Sequence, residues 1–154
     1  MSPGEDRQPQ ASASTPRATV SRDEGDQRSA ELTRRIAGLA AEKAATEIVA
    51  LDVGTLVGYT DYLIVCSARN ERQAKAVHDT VYETLKKRDG MLPARVEGAR
   101  EARWILMDYL DCVLHILVPE MRDRYRLEQL WGEAPRFDLG LDAEAGVGEE
   151  PQGG

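Results

Sequence analysis

The sequence predicts an α/β protein with a single mixed β-sheet and flanking helices. Two long segments repeat apolar side chains with helical spacing, and five short apolar runs have the length of strands. Gly or Pro stands at several of the junctions between them. The resulting order is α-β-β-α-β-β-β-α. Mixed connections and strands that are apolar on both faces indicate one partly parallel sheet with helices packed on it.

The first helix is predicted to begin at the N-cap Ser29 and to run to about Thr46. Leu32, Ile36, Leu39 and Lys43 fall on one stripe of this helix, with Ala40 beside them. The run 48–51, which ends at Asp52, predicts a buried strand. After a loop bracketed by Gly54 and Gly58, alternating side chains predict a second strand from Tyr59 to Ser67.

The second helix has clear signals at both ends. Asn70 is a predicted N-cap, and Gln73 at the third helical position completes a capping-box pattern. Cations favour the C-terminal end of a helix dipole, and Gly90 is predicted to stop the helix. The apolar face and the terminal cations are Ala74, Val77, Val81 and Leu85, and Lys86, Lys87 and Arg88.

Three strands and a helix complete the predicted domain. The strands span residues 94–97, 103–109 and 112–118, and the short break between the last two predicts a hairpin. Pro119 suits the first turn of a helix. Leu127, Leu130 and Trp131 would anchor that helix at helical spacing.

Composition divides the chain into one domain and two tails. Residues 1–28 contain no Leu, Ile, Phe, Tyr or Trp and are predicted to be a disordered tail, and residues 133–154 a disordered acidic one. The domain is therefore placed at residues 29–132. Of the formal charge of −7, the tails carry −1 and −5, which leaves −1 for the domain. A nearly neutral domain is a poor ligand for nucleic-acid phosphates, so a protein partner is favoured.

The chain shows neither a secretory signal nor an apolar run of membrane-spanning length, so we expect a cytoplasmic protein without membrane contact. Cys66 and Cys112 fall in apolar strands and are predicted to be reduced core thiols. Their spacing is not that of a metal site. We expect neither a metal nor a cofactor.

The residues that could carry catalysis do not form a recognisable constellation. His78 and His115 are isolated, and Ser67 lacks a nucleophile elbow. Both histidines are predicted to be structural, His115 on a sheet face. Four aspartates lie near strand ends, but without the paired spacing of a two-metal site, and capping or turn roles are favoured: Asp52, Asp61, Asp108 and Asp111. The chain is therefore predicted not to be an enzyme.

The predicted strand around Trp104 differs from the others. Alternation places Trp104, Leu106 and Asp108 on one face, opposite Ile105 and Met107. A sealed face would bury the charge of Asp108, whereas an open face would expose a Trp and a Leu with the composition of a binding hot spot. The residue pattern leaves both alternatives open.

Five segments in one order resemble the ribosomal silencing factor, or Iojap-like, family. The resemblance covers about residues 30–134. The segments are Thr60-Asp61-Tyr62-Leu63-Ile64-Val65, Arg95-Val96-Glu97-Gly98, Trp104-Ile105-Leu106-Met107-Asp108-Tyr109, His115-Ile116-Leu117-Val118-Pro119-Glu120 and Tyr125-Arg126-Leu127-Glu128-Gln129-Leu130-Trp131.

The resemblance implies a nucleotidyltransferase-like fold that has lost its catalytic acids. It also implies binding to the large ribosomal subunit at ribosomal protein L-fourteen, on the face that joins the small subunit. The bound factor would block joining and lower translation when nutrients are short. Free members of the family are often homodimers, so we expect one here.

The family's contact surface corresponds to Trp104, Leu106, Asp108 and Tyr109. Leu110 stands where the family usually has Gly in its hairpin, so either the turn differs or Leu110 projects outward as a further apolar contact. On the last helix, the basic residues Arg122, Arg124 and Arg126 would make a minor rRNA contact or, as the interspersed acids favour, a solvated face.

Two other functions remain as alternatives. A factor that assists assembly of the large subunit would need the same docking surface. A divergent metal-dependent nucleotidyltransferase, which the implied fold and the strand-end aspartates motivate, is less favoured.

Overall fold

A computed structural model of the chain describes residues 22–54 and 60–141. It confirms a mixed α/β fold built on one sheet with flanking helices. The elements are α1 (Arg22–Glu42), β1 (Thr46–Asp52), β2 (Tyr62–Ser67), α2 (Glu71–Asp89), β3 (Arg95–Glu97), β4 (Trp104–Asp108), β5 (Cys112–Leu117), α3 (Pro119–Tyr125), α4 (Leu127–Leu130) and β6 (Arg136–Phe137).

The strands form one sheet in the order β3-β4-β5-β2-β1-β6. In the described part of the chain β2 and β5 run parallel, and the other four neighbouring pairs are antiparallel. All residues of β2 and β5 are buried, which is the pattern of central strands covered on both faces. The predicted hairpin of β4 and β5 is confirmed, with Leu106 opposite His115.

The sheet separates two apolar clusters. On one face α1 and α2 cover a large core that includes Ile36, Leu85, Ile105 and Met107. On the other face the chain after β5 covers only part of the sheet. Leu127 and Ala134 complete a smaller cluster there, and Trp104 and Leu106 lie at its margin.

The N-cap and the C-terminal stop of the second helix are confirmed, whereas the Gln73 side chain accepts the backbone N–H of Arg69, one residue before the N-cap. The Asn70 side chain accepts a hydrogen bond from the Gln73 backbone N–H at 2.9 Å. Gly90 adopts the left-handed conformation with φ of 63°, and its N–H donates to the Lys86 carbonyl. Both ends depend on contacts between neighbours in the sequence, which explains why the sequence predicts them.

The prediction for the first helix was wrong at both ends. The helix begins at Arg22, so Ser29 lies inside it rather than at its N-cap. The Ser29 hydroxyl instead donates to Asp61 Oδ2 at 2.7 Å, a partner that is distant in sequence. The helix ends at Glu42, before Ala44 with φ of 65°, and Lys43 beyond it is exposed.

The end of the chain's described part also differs from the prediction. The last helix begins at Pro119 as predicted but is divided at Arg126, whose φ is 41°. Strand β6 lies in the segment predicted to be a tail, where it pairs with β1. The centroids of the Phe137 and Tyr62 rings lie 4.7 Å apart.

Most of both predicted tails lies outside the described residues, as does Tyr59 at the predicted start of the second strand. The division into one domain and two tails therefore stays a prediction. Within residues 22–54 and 60–141, the structure has no helix both long and apolar enough to cross a membrane.

Candidate partner-binding surface

Strand β4 buries one face and leaves the other partly open. Ile105 and Met107 are fully buried, whereas Trp104, Leu106 and Asp108 keep part of their surface accessible. Trp104 and Leu106 pack against the smaller apolar cluster but are only partly buried by it. Of the two alternatives that the sequence leaves open, the structure therefore shows the partly open face.

Trp104 is held by two other rings. Its Nε1–H donates to Nδ1 of His115 at 3.0 Å, and the ring centroids of the two residues lie 6.0 Å apart. The Tyr125 ring, on α3, packs against the indole at a centroid distance of 4.9 Å and remains 47% exposed. His115 and Tyr125 thus hold the indole in place, while part of its surface stays accessible.

His115 has the structural role that its position predicts. It is buried on β5, and burial lowers its pKa to about 4, so the imidazole is neutral at pH 7. Because Nδ1 accepts the indole hydrogen bond, the single proton of the neutral ring is assigned to Nε2.

Asp108 stabilises the turn that follows β4. Its Oδ1 accepts the backbone N–H of Leu110 at 2.8 Å, and its Oδ2 lies 4.0 Å from Nη2 of Arg95 on β3. The carboxylate therefore has internal partners and is only partly accessible, which confirms the predicted turn role.

Leu110 projects outward. Its φ is 72°, a conformation that favours Gly, and its side chain is 63% exposed. The turn therefore adopts the left-handed conformation without Gly, and the unusual residue adds an apolar side chain to the surface.

Tyr109 lies on the opposite face of the sheet from Trp104, Leu106 and Asp108. It is buried in the larger core on the opposite face, and burial raises the pKa of its phenol well above the ordinary value. Its hydroxyl has no hydrogen-bond partner among the described residues. The expectation that Tyr109 is an accessible contact residue is therefore wrong for this chain. The alternation of β4 continues through Tyr109 and sets it on the same face as Met107.

We use the name Trp104 surface for Trp104, Leu106, Asp108, Leu110 and Tyr125. Tyr125 is not among the contact residues predicted from the sequence. Tyr125 occurs in one of the family segments, but only the packing of α3 against β4 shows that its ring meets the indole.

The basic residues of α3 and of the bend after it divide into two kinds. Arg122 is buried, and its guanidinium donates to Ser67 Oγ and to the Glu47 carbonyl, each at 2.9 Å. It is therefore unavailable for the predicted rRNA contact. Arg124 and Arg126 are exposed, and Arg124 lies 3.8 Å from Glu120.

The strand-end aspartates and the two cysteines, the other candidates from the sequence, make contacts within the fold. The Asp61 carboxylate accepts from Ser29, and Asp52 Oδ1 accepts the Gly54 N–H at 3.4 Å. No group of three or more acidic, His or Cys side chains suited to a metal occurs within the described ranges. Absence of catalysis stays a prediction. Cys66 and Cys112 are buried free thiols, as predicted, and burial raises the pKa of each to about 12.

Comparison with known proteins gives consistent results. The family described as "Ribosomal silencing factor during starvation" matches residues 26–152. The ribosomal silencing factor RsfS of Bacillus subtilis is 35% identical over 98 residues, which are 64% of this chain and 82% of the relative. A mouse protein named "Mitochondrial assembly of ribosomal large subunit protein 1" is 32% identical over 99 residues, 62% of this chain and 43% of the relative.

A solved structure supports the same assignment. The crystal structure of a Chromobacterium violaceum protein superposes with a TM-score of 0.63 at 30% identity, covering 66% of this chain and 84% of the other. The family match extends over most of the sequence and includes the whole Trp104 surface. This chain therefore belongs to the ribosomal silencing factor family.

Proposed function

We propose that this protein represses translation in the cytoplasm by binding the large ribosomal subunit through the Trp104 surface. The contact is made with ribosomal protein L-fourteen, and the bound protein blocks joining of the small subunit when nutrients are short. Family membership supports the ribosomal role. The observation that carries the site is a partly open Trp104, fixed by His115 and Tyr125.

The composition of the surface fits a protein partner. Large aromatic side chains with few free torsions contribute most to binding when they become fully desolvated, and Trp104 and Tyr125 can both lose their remaining exposure. Leu106 and Leu110 supply apolar area on either side of Asp108. The carboxylate of Asp108 disfavours a phosphate-rich partner and favours a protein with a basic group.

Steric exclusion requires no reaction at this surface. A bound protein that occupies part of the joining face prevents the small subunit from reaching it. Repression then depends on the affinity for the large subunit and on the concentration of the protein.

The test is binding of Trp104→Ala to purified large subunits in sucrose gradients. We expect the variant to remain folded and to bind at least tenfold more weakly, which corresponds to about 1.4 kcal/mol or more. Tyr82→Ala is the control, because it removes a half-buried aromatic side chain from α2 on the other side of the sheet. A folded Trp104→Ala protein that binds as tightly as the wild type would refute the proposed site.

The blocking step is tested separately. Large subunits loaded with wild-type protein should form fewer complete ribosomes when small subunits are added, and subunits preincubated with Trp104→Ala should join normally. Equal joining with and without bound wild-type protein would contradict steric repression.

Assembly of the large subunit is the second candidate function, and the name of the mouse relative favours it. Such a factor would use the same surface at an earlier time. Depletion of the protein during growth should then cause precursors of the large subunit to accumulate. Repression alone predicts normal subunits and a defect confined to starvation.

We also propose that the free protein is a homodimer. The exposed apolar side chains Leu92, Leu110 and Tyr125 support self-association. Light scattering over a range of concentrations should give twice the monomer mass of 17.0 kDa. A constant monomer mass would count against the dimer.

A further inference from the structure

His115 is not itself an open part of the Trp104 surface, yet it makes the hydrogen bond that orients the surface's largest side chain. Trp104 lies opposite Leu117 in the β4–β5 pairing, so His115 is its diagonal neighbour on the same face. Long aromatic side chains can reach each other across such a diagonal. Here the indole Nε1–H meets the imidazole Nδ1 at 3.0 Å.

The bond is well suited to fix one orientation of the indole. An indole has a single N–H donor, and a buried neutral imidazole with its proton on Nε2 offers Nδ1 as a single acceptor. The Tyr125 ring, 4.9 Å from the indole, limits motion on another side. His115 itself is buried on β5, a central strand of the sheet, so the acceptor has little freedom to move.

We propose that His115 is a positioning residue for the Trp104 surface, and that its Nδ1 holds the Trp104 indole in the orientation that meets the partner protein. The inference rests on the proposed function, since it takes Trp104 as an anchor for that partner. Holding the side chain before binding lowers the entropy lost when the complex forms.

Three substitutions separate this role from simple core packing. His115→Asn places an amide oxygen near the position of Nδ1 and can retain the acceptor. His115→Gln places its amide nearer to Nε2, and His115→Leu removes the acceptor altogether. Val113→Ala is the control for lost core packing, because Val113 is buried on the same face of β5 and carries no polar atom in its side chain.

The first measurement uses the free full-length protein and needs no ribosome. In nitrogen–proton NMR spectra the indole resonance of Trp104 is identified by its absence in Trp104→Ala. We expect it to shift in His115→Leu and His115→Gln, and to stay close to its wild-type position in His115→Asn and Val113→Ala.

The second measurement is binding of the same proteins to purified large subunits. We expect affinity to fall about tenfold in His115→Leu, the scale of one lost hydrogen bond, and to remain within about threefold of wild type in His115→Asn. If His115→Leu does not fold, His115→Gln takes its place. Its affinity should then be lower than that of His115→Asn, because only Asn can retain the acceptor near the position of Nδ1.

An unchanged indole resonance in folded His115→Leu, or equal behaviour of the Asn and Gln variants, would overturn the positioning role. So would normal binding of His115→Leu when Trp104→Ala has lost binding, and in that case the proposed function would stand. Failure of the proposed function has a different signature, because Trp104→Ala itself would then bind normally.

Discussion

A β-carbon on Gly98 would lie 2.0 Å from the carbonyl oxygen of Trp104. Gly98 follows β3, has φ of 79°, and accepts the Ala102 N–H in the turn that leads into β4. The connection between the two strands therefore passes directly against the backbone of Trp104. Gly at this position allows both the turn and the close approach, and so sets where the Trp104 surface begins.

This relationship predicts that Gly98→Ala is strongly destabilising. The added methyl group must displace backbone rather than a flexible side chain, and φ of 79° adds strain. We expect the free energy of unfolding to fall by about 3 kcal/mol or more, measured by urea denaturation.

Gly90→Ala is the matched control. Gly90 has a similar φ of 63°, but a β-carbon there would meet nothing within 4 Å. Only conformational strain remains, so a loss of about 1 kcal/mol is expected. Equal losses for the two variants would show that the contact with Trp104 is unimportant.

Leu110→Gly should separate backbone strain from partner binding. Gly relieves the left-handed strain at φ of 72° but increases the entropy of the unfolded chain, so the net stabilisation should be below about 1 kcal/mol. Leu110→Ala keeps the strain while it removes the same exposed apolar bulk. If Leu110 contacts the partner, both variants should bind large subunits more weakly, and only the Gly variant should gain stability in urea. Wild-type binding by both would exclude Leu110 from the contact.

Arg122→Met should destabilise the fold even though α3 is short and lies at the surface. Met keeps much of the apolar stem of Arg122 but has no N–H donors. Ser67 Oγ and the Glu47 carbonyl therefore each lose the hydrogen bond that the guanidinium donates. We expect a loss of about 2–4 kcal/mol in the free energy of unfolding by urea. Arg124→Met, at an exposed position beside Glu120, should change it by less than about 0.5 kcal/mol. A similarly small change for Arg122→Met would contradict the role of this network.

The sequence predicts the elements whose signals are local. The capping of α2 by Asn70 and Gly90 depends on neighbouring residues, and the alternation in β4 follows from backbone geometry. The predicted start of α1 was wrong because Ser29, a residue type that commonly caps helices, donates its hydrogen bond to Asp61, which is distant in sequence. Strand β6 has two residues and exists by pairing with β1, so it has no periodicity to detect.

The candidate site was partly predictable for similar reasons. Alternation correctly grouped Trp104, Leu106 and Asp108, but whether their face was open depended on how far the chain after β5 extends over the sheet. Tyr109 was misplaced because the family motif was carried over as one block across both faces. Tyr125 was missed because its contact with Trp104 joins two elements that pack together only in the folded structure.

His115 should also make the stability of the fold depend on pH. Its pKa is about 4 in the folded protein, against an ordinary value of 6.5, because burial disfavours the charged ring. As the pH falls below 6.5, the unfolded chain gains a proton that the folded protein does not take up, so the free energy of unfolding decreases until about pH 4. Between about pH 7.5 and about pH 5 this residue alone should remove about 2 kcal/mol.

Carboxylates also titrate in the acid range, so the measurement is a difference between two proteins. Urea denaturation of wild type and His115→Asn at both pH values isolates the contribution of the imidazole, since Asn does not titrate. The wild type should lose about 2 kcal/mol more than the variant on acidification. Because the folded imidazole stays neutral down to about pH 4, Nδ1 should keep accepting the Trp104 hydrogen bond throughout this range, and the indole NMR resonance should not move. Parallel losses in the two proteins, or an indole resonance that titrates near pH 6.5, would show that His115 is not buried in its neutral form beneath Trp104.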